Sequence, residues 1–167
     1  DQGARHAVPE IKVLEDFAGT TPAAWLDRER GKVLAERQMD AGADVIFAAA
    51  GATGFGVLQA TTGRHRLGIG VDSNQNHLHP GAILTSMVKR VDVAVHQALR
   101  SAADGTWTAG TTVLGLKEGG VGVVIDEHNR ALIPPPLEEA MKKATDEIVA
   151  GRLEVIDYRK AGKCAAE

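Results

Sequence analysis

The sequence contains little cysteine and few aromatic residues. Its one cysteine, Cys164, cannot form an internal disulfide and has no cysteine partner for a metal site. Aromatic residues make up only 4% of the chain, but 44% of its residues are hydrophobic, which is enough to supply a core of useful size. A length of 167 residues falls within the range of one ordinary domain.

The chain also lacks long runs of one kind of residue. No stretch approaches the roughly 20 apolar residues that span a bilayer, and the first ten residues have neither the charged start nor the apolar middle of a signal peptide. The net charge is -3, and lysine and arginine are interspersed with acidic residues. Without a basic patch the chain has no surface suited to following phosphates, so we expect no nucleic-acid partner.

Short runs rich in valine and isoleucine alternate along the chain with segments of helical period. This alternation predicts βαβ units in a three-layer, doubly wound α/β fold with a mainly parallel sheet. The predicted strands are Ile11–Leu14, Asp44–Ala50, Leu67–Asp72, Ala82–Met87, Thr111–Leu116 and Val121–Ile125. Asp44–Ala50 is apolar nearly throughout, as expected for a central strand that helices cover on both faces.

Three segments carry the apolar stripe of an amphipathic helix. They are Arg28–Ala41, residues 88–99 and Leu137–Ala150. Asp27 is placed to cap the first of them and Gly42 to end it.

In an open parallel sheet, ligands bind beyond the carboxyl ends of the strands. At one such end Gly51 begins the turn GATGFG, whose free backbone N–H groups could meet an oxygen-rich ligand. The turn, followed by Asp72 at the next strand end, resembles a dinucleotide fingerprint, but its glycines stand in the wrong order for a pyrophosphate, which argues against NAD. The alternative that these glycines only form a tight turn stays open.

Three side chains near the strand ends suit a sugar and a base. The carboxylate of Asp72 could accept two hydroxyls of a diol, and the ammonium of Lys89 could donate to the same ligand. Trp25, in the loop after the first predicted strand, offers a flat face for stacking. Simpler interpretations stay open: a loop cap for Asp72, a solvated helix residue for Lys89 and core packing for Trp25.

The sequence gives little support for catalysis or metal binding. His77 and His79 form an H-x-H pair without a third ligand of matching spacing, so we interpret them as loop residues and expect no metal. We find no pair of carboxylates in which one could act as an acid and the other as a base. We also find no G-x-S-x-G turn and no Cys–His arrangement suited to catalysis. These absences favour a binding protein without cofactor or catalytic residues over an enzyme.

Several sequence segments resemble those of the basic membrane protein (BMP) family, and they occur along the chain in the same order as in the family. They are GADVIFAAAGATGFGVLQA (42–60), IGVDSNQN (69–76), PGAILTSMVKRVDVAV (80–95), GLKEGGVGV (115–123) and IVAGRLEVID (148–157). The resemblance implies a fold like that of the type 1 periplasmic binding proteins. It also implies a receptor, in the periplasm or held to the cell envelope as a lipoprotein, that captures a nucleoside or purine for the permease of an ABC importer.

The family pattern also suggests roles for four residues. Trp25 takes the place of an aromatic that stacks on the base, although the family more often has phenylalanine there. Gly51 matches a glycine whose backbone faces the ligand, Asp72 the acid that holds ribose hydroxyls, and Lys89 a lysine that contacts the ligand.

The chain departs from the family in length, because family members have two lobes and about twice as many residues. We expect residues 1–77 and 110–158 to form most of the second lobe and 159–167 to be a tail. Residues 78–109 would return to a first lobe that is mostly absent, where their strand would have no sheet to join. Three alternatives stay open: the chain is a fragment, another chain supplies the missing lobe, or this chain packs in some other way.

Two other classes of function stay open. One is an enzyme that uses a nucleotide or ribose on a doubly wound sheet, for which the glycine turn and Asp72 are the only support. The other is a ligand-sensing regulatory domain of the same fold, because closure on a ligand can signal as readily as deliver.

Overall fold

A computed structural model describes residues 1–157. The predicted tail 159–167, with Cys164, lies outside the described residues. The helices are α1 (Gln2–Ala7), α2 (Arg28–Asp40), α3 (Thr53–Gly63), α4 (Val91–Ala103) and α5 (Pro135–Val149), and the strands are β1 (Val45–Phe47), β2 (Leu67–Asp72), β3 (Ile83–Lys89) and β4 (Val121–Val123). Among the helices of residues 1–157, none has the length and apolar character needed to cross a bilayer.

The four strands form one sheet in the order β1-β2-β3-β4. The pairs β1–β2 and β2–β3 are parallel, whereas β4 runs antiparallel to β3. The carboxyl ends of β1, β2 and β3 therefore meet at one edge of the sheet. This arrangement confirms the predicted α/β class and the mainly parallel sheet.

Two of the predicted strands are wrong. Ile11–Leu14 and Thr111–Leu116 are irregular segments with no strand pairing in the described part of the chain. Ile11, Thr111, Thr112 and Val113 are exposed, so their apolar or β-branched side chains are not buried against a sheet. A short apolar run predicts a strand only where a neighbouring strand can satisfy its backbone N–H and C=O groups.

The strand of segment 78–109 does have a sheet to join, and that expectation is corrected. β3 pairs with β2 along most of its length, with Asp72 opposite Val88 at the carboxyl end. Helix α4, which follows β3, contains no buried residue. Its apolar side chains Val91, Val95 and Leu99 are 65%, 52% and 67% exposed. The division of the chain into two lobes stays a prediction.

Helices α2 and α3 provide the packed core beside the sheet. The core contains Ala35 and Met39 of α2, Ile46 and Ala48 of β1 and its continuation, and Val57 and Ala60 of α3. Asp27 caps α2 as predicted, because its Oδ1 accepts a hydrogen bond of 2.9 Å from the amide of Arg30. Gly42 follows the helix with φ of +98°, a conformation that glycine adopts without strain.

Candidate functional site

Trp25 and Gly51 lie in direct contact beside the end of β1. Gly51 has φ of +57°, and a Cβ at this position would lie 3.2 Å from the carbonyl oxygen of Trp25 and 3.3 Å from Cε3 of its indole. The indole therefore rests against the backbone of the glycine turn, and a side chain at residue 51 would be tight against it and strained by the positive φ. Trp25 is nevertheless 57% exposed, so part of the indole remains open to a ligand.

Asp72 and Lys89 form a second pair, at the ends of β2 and β3. Lys89 Nζ lies 2.7 Å from Asp72 Oδ1, and the two side chains are 60% and 51% exposed. The parallel pairing of β2 with β3 brings them together, because Asp72 is opposite Val88 in the register. An exposed ion pair contributes little to stability, since water and salt screen it. Both groups remain accessible to a polar ligand.

A cavity of about 590 Å³ opens beside this ion pair. Its lining includes Asp72, Asn74, Lys89 and Arg90 together with the backbone of β4. The volume falls within the range of about 300–1,000 Å³ that is typical of sites for small molecules. Trp25 lines a different cavity, which lies along β1 and α2. The structure thus joins the four predicted residues into two pairs at one sheet edge. Asp72 and Lys89 line one cavity, and Trp25 lines the other.

Sequence reasoning missed a buried polar network beneath the loop that follows Asp72 (residues 73–82, the Asp72 loop). Ser86 Oγ donates to Asn76 Oδ1 at 2.8 Å and accepts a hydrogen bond of 2.9 Å from the amide of Gln75. Asn129, which has no exposed surface, donates from Nδ2 to the carbonyl oxygens of Leu84 and Val124, both at 2.9 Å. These bonds join the loop after β2 to β3 and to the loop after β4.

Asp126 links the two loops of this network. Its Oδ2 accepts hydrogen bonds from Asn74 Nδ2 at 2.8 Å and from Asn76 Nδ2 at 3.1 Å, and its Oδ1 accepts one from the amide of His128 at 2.9 Å. The hydrogen bond from Asn74, with smaller contributions from His128 and Asn76, holds the pKa of Asp126 below its usual value. The available sequence signal was the run of amide-bearing residues in SNQN, directly after β2, together with Asp126 and Asn129 of DEHN, shortly after β4.

Comparisons with known proteins identify the family of this chain. Residues 1–154 match the family Bmp, described as ABC transporter substrate-binding protein PnrA-like. The chain is 36% identical over 132 residues to basic membrane protein D of Borreliella burgdorferi strain JD1, an alignment that covers 77% of this chain and 38% of that protein. It is 38% identical over 118 residues to an uncharacterised lipoprotein of Pyrococcus abyssi, which covers 67% of this chain and 28% of the lipoprotein.

A solved structure gives the same result for the fold. The crystal structure of ABC transporter system solute-binding proteins from Aeropyrum pernix K1 aligns with a TM-score of 0.65 and 25% identity. The alignment covers 78% of this chain and 45% of that one. It confirms the predicted fold class. The chain spans less than half the length of each of these three proteins.

Proposed function

This chain belongs to the Bmp family of ABC transporter substrate-binding proteins, and from that premise we propose that it binds a nucleoside or purine for an ABC importer. The observation that carries the ligand class is the half-exposed pair Asp72–Lys89, 2.7 Å apart at the ends of two adjacent parallel strands. Its carboxylate can accept two hydroxyls of a ribose, while its ammonium donates to a neighbouring acceptor. A ligand that binds both side chains replaces a weak, exposed ion pair with its own hydrogen bonds to Asp72 and Lys89.

The stacking half of the proposal depends on Trp25. Its indole rests on Gly51 and is more than half exposed, so it offers an apolar face to a planar ring. A base contributes such a ring, and its sugar contributes the hydroxyls. Trp25 and the pair Asp72–Lys89 line separate cavities, so in this proposal the ligand spans the carboxyl ends of β1 and β2 between them. The protein binds and releases it without making or breaking a bond.

Location and partners follow from the same proposal. One relative carries the description of a lipoprotein, and the family is one of ABC transporter substrate-binding proteins. We therefore place the chain outside the cytoplasm, delivering its ligand to a permease. Because the chain spans 38% of basic membrane protein D, the rest of the binding cleft would come from a first lobe in a longer protein or from another chain.

Isothermal titration of the 167-residue chain with adenosine, guanosine, inosine, uridine and adenine tests this proposal. We expect saturable binding that Asp72→Asn weakens by about tenfold or more, because hydrogen bonds to a charged group contribute about 1.5–3 kcal/mol. Asp146→Asn is the matched control. Asp146 also pairs with a lysine at 2.7 Å and is similarly exposed, but it lies on α5.

Two further measurements complete the test. Mass spectrometry of the recovered ligand should find the nucleoside unchanged, and consumption of it would point to an enzyme instead. If the chain alone does not bind, the titration is repeated after the remaining length of a family member has been joined to it. Failure of both forms to bind any of the five compounds would refute the nucleoside proposal.

A further inference from the structure

Thr53, at the start of α3, holds the loop that carries Trp25. Its side chain has no exposed surface. Thr53 Oγ1 donates a hydrogen bond of 2.6 Å to the carbonyl oxygen of Ala24 and accepts one of 2.8 Å from the amide of Asp27. The hydroxyl thus binds the backbone on both sides of Trp25 and uses its capacity both to donate and to accept.

The loop has few other contacts that fix the position of Trp25. Pro22–Trp25 form a single turn of 3-10 helix, and Trp25 itself is 57% exposed. The contact with Gly51 involves the carbonyl oxygen, Cβ and one indole edge of Trp25. The two hydrogen bonds of Thr53 hold the backbone of the loop itself, because they connect it to the first residue of a packed helix.

We propose that Thr53 is a positioning residue, which fixes Trp25 in its binding orientation before any ligand arrives. This inference rests on the proposed function, because it assigns to Trp25 the stacking of a planar ring. Its physical basis is preorganisation: a loop that is already ordered loses less conformational entropy when a ligand binds. Serine can make both hydrogen bonds at position 53, whereas valine preserves the shape of threonine and makes neither.

The test uses Trp25 as the only tryptophan, in a Trp107→Phe background. Thr53→Val, Thr53→Ser and Thr61→Val are compared without ligand by near-ultraviolet circular dichroism and by acrylamide quenching of fluorescence. Thr61→Val is the matched control, since Thr61 is equally buried in α3 but its hydroxyl bonds to Leu58 O within the same helix, at 3.0 Å. We expect Thr53→Val to lose the near-ultraviolet signal and to be quenched more strongly, and Thr53→Ser and Thr61→Val to keep the parent signal.

Inosine and adenosine titrations of the same variants connect the effect to binding. Thr53→Val should weaken binding by about tenfold, because the loop would then become ordered only when the ligand binds, and Thr53→Ser should bind like the parent. The optical comparison needs no ligand, so absence of nucleoside binding would refute the proposed function without affecting the assignment of Thr53. An unchanged Trp25 signal in Thr53→Val, or a serine variant that behaves like valine, would overturn the assignment.

Hydrogen exchange of the unmodified chain covers the case in which Thr53→Val does not fold. The amide of Asp27 precedes α2, and its hydrogen bond goes to Thr53 Oγ1. We expect this amide to exchange as slowly as those inside α2. Exchange at the rate of a free amide would overturn the proposal.

Discussion

The crossing of α2 and α3 gives the sharpest prediction about stability, because Gly31 and Gly56 allow the helix backbones to touch. A Cβ at position 56 would lie 1.9 Å from the carbonyl oxygen of Arg28 and 3.1 Å from the amide nitrogen of Lys32. Both atoms belong to the backbone of α2, so no side-chain rotation relieves the overlap. The helices would have to separate by more than about 1 Å, since a Cβ atom essentially never lies within 3.0 Å of a neighbouring atom.

Gly56→Ala should therefore destabilise the fold, although alanine is intrinsically better than glycine in a helix. Overpacking of this kind costs about 1–3 kcal/mol. Gly63→Ala is the matched control, because Gly63 lies in the same helix and a Cβ there would meet nothing within 4 Å. The control isolates the helix propensity term, which is worth up to about 1 kcal/mol in favour of alanine.

Urea unfolding followed by far-ultraviolet circular dichroism measures the difference between the two variants. With a slope of roughly 2 kcal/mol per molar urea, Gly56→Ala should unfold at a midpoint about 0.5–1.5 M below that of Gly63→Ala. A midpoint equal to that of Gly63→Ala would show that the helices do not cross at this distance. The separation of the helices should also disturb Trp25, because α2 begins directly after the loop that carries it.

Three further predictions concern the network and the helix cap. Asn129→Ala should cost about 2–3 kcal/mol in urea unfolding, because it leaves the buried carbonyl of Leu84 without its side-chain donor, and a loss below about 0.5 kcal/mol would contradict the network. The lowered pKa of Asp126 means that its contribution to stability is complete above its unfolded pKa of about 4 and disappears as the pH falls through the folded value. Stability of the Asp126→Asn variant should consequently depend less on pH below about 4 than that of the parent. Glu139→Gln, a change at an exposed carboxylate on α5, should keep the parent slope. Asp27→Ala should lower the free energy of unfolding by about 1 kcal/mol through loss of the cap on α2, and thermal unfolding with no shift in midpoint would show that the cap does not form in solution.

Local sequence signals predicted the parts of the fold in which a segment's own residues decide its structure. β2 has the predicted bounds Leu67–Asp72, and Asp27 caps α2 as expected. The prediction of a strand at Thr111–Leu116 was wrong, because strand formation depends on a neighbouring strand that the segment's own sequence does not reveal. Its β-branched residues have the composition of a strand, but within residues 1–157 no neighbouring strand pairs with them.

The sequence predicted where the candidate site lies, at the carboxyl ends of the parallel strands, but not the contacts within it. The rule for parallel strands placed Gly51, Asp72 and Lys89 together, and their positions follow from β1, β2 and β3. The 2.7 Å approach of Lys89 to Asp72 depends on the register of β2 against β3, which shifts between Gly68 and Ile69. No periodicity in the sequence encodes such a shift. Contacts between distant segments, such as Asn76 with Asp126, were inaccessible for the same reason.

The two halves of the candidate site are held by separate supports. Thr53 connects the Trp25 loop to α3, whereas Asn76, Ser86 and Asp126 connect the Asp72 loop to β3 and to the loop after β4. Loops with so few apolar contacts would otherwise open at little free-energy cost. Buried hydrogen bonds to backbone and amide groups give each loop a defined position without covering the surface that a ligand needs. Trp25, Asp72 and Lys89 therefore remain exposed while Thr53, Asn76 and Ser86 beneath them are buried, which is the arrangement expected of a binding edge that is formed before its ligand arrives.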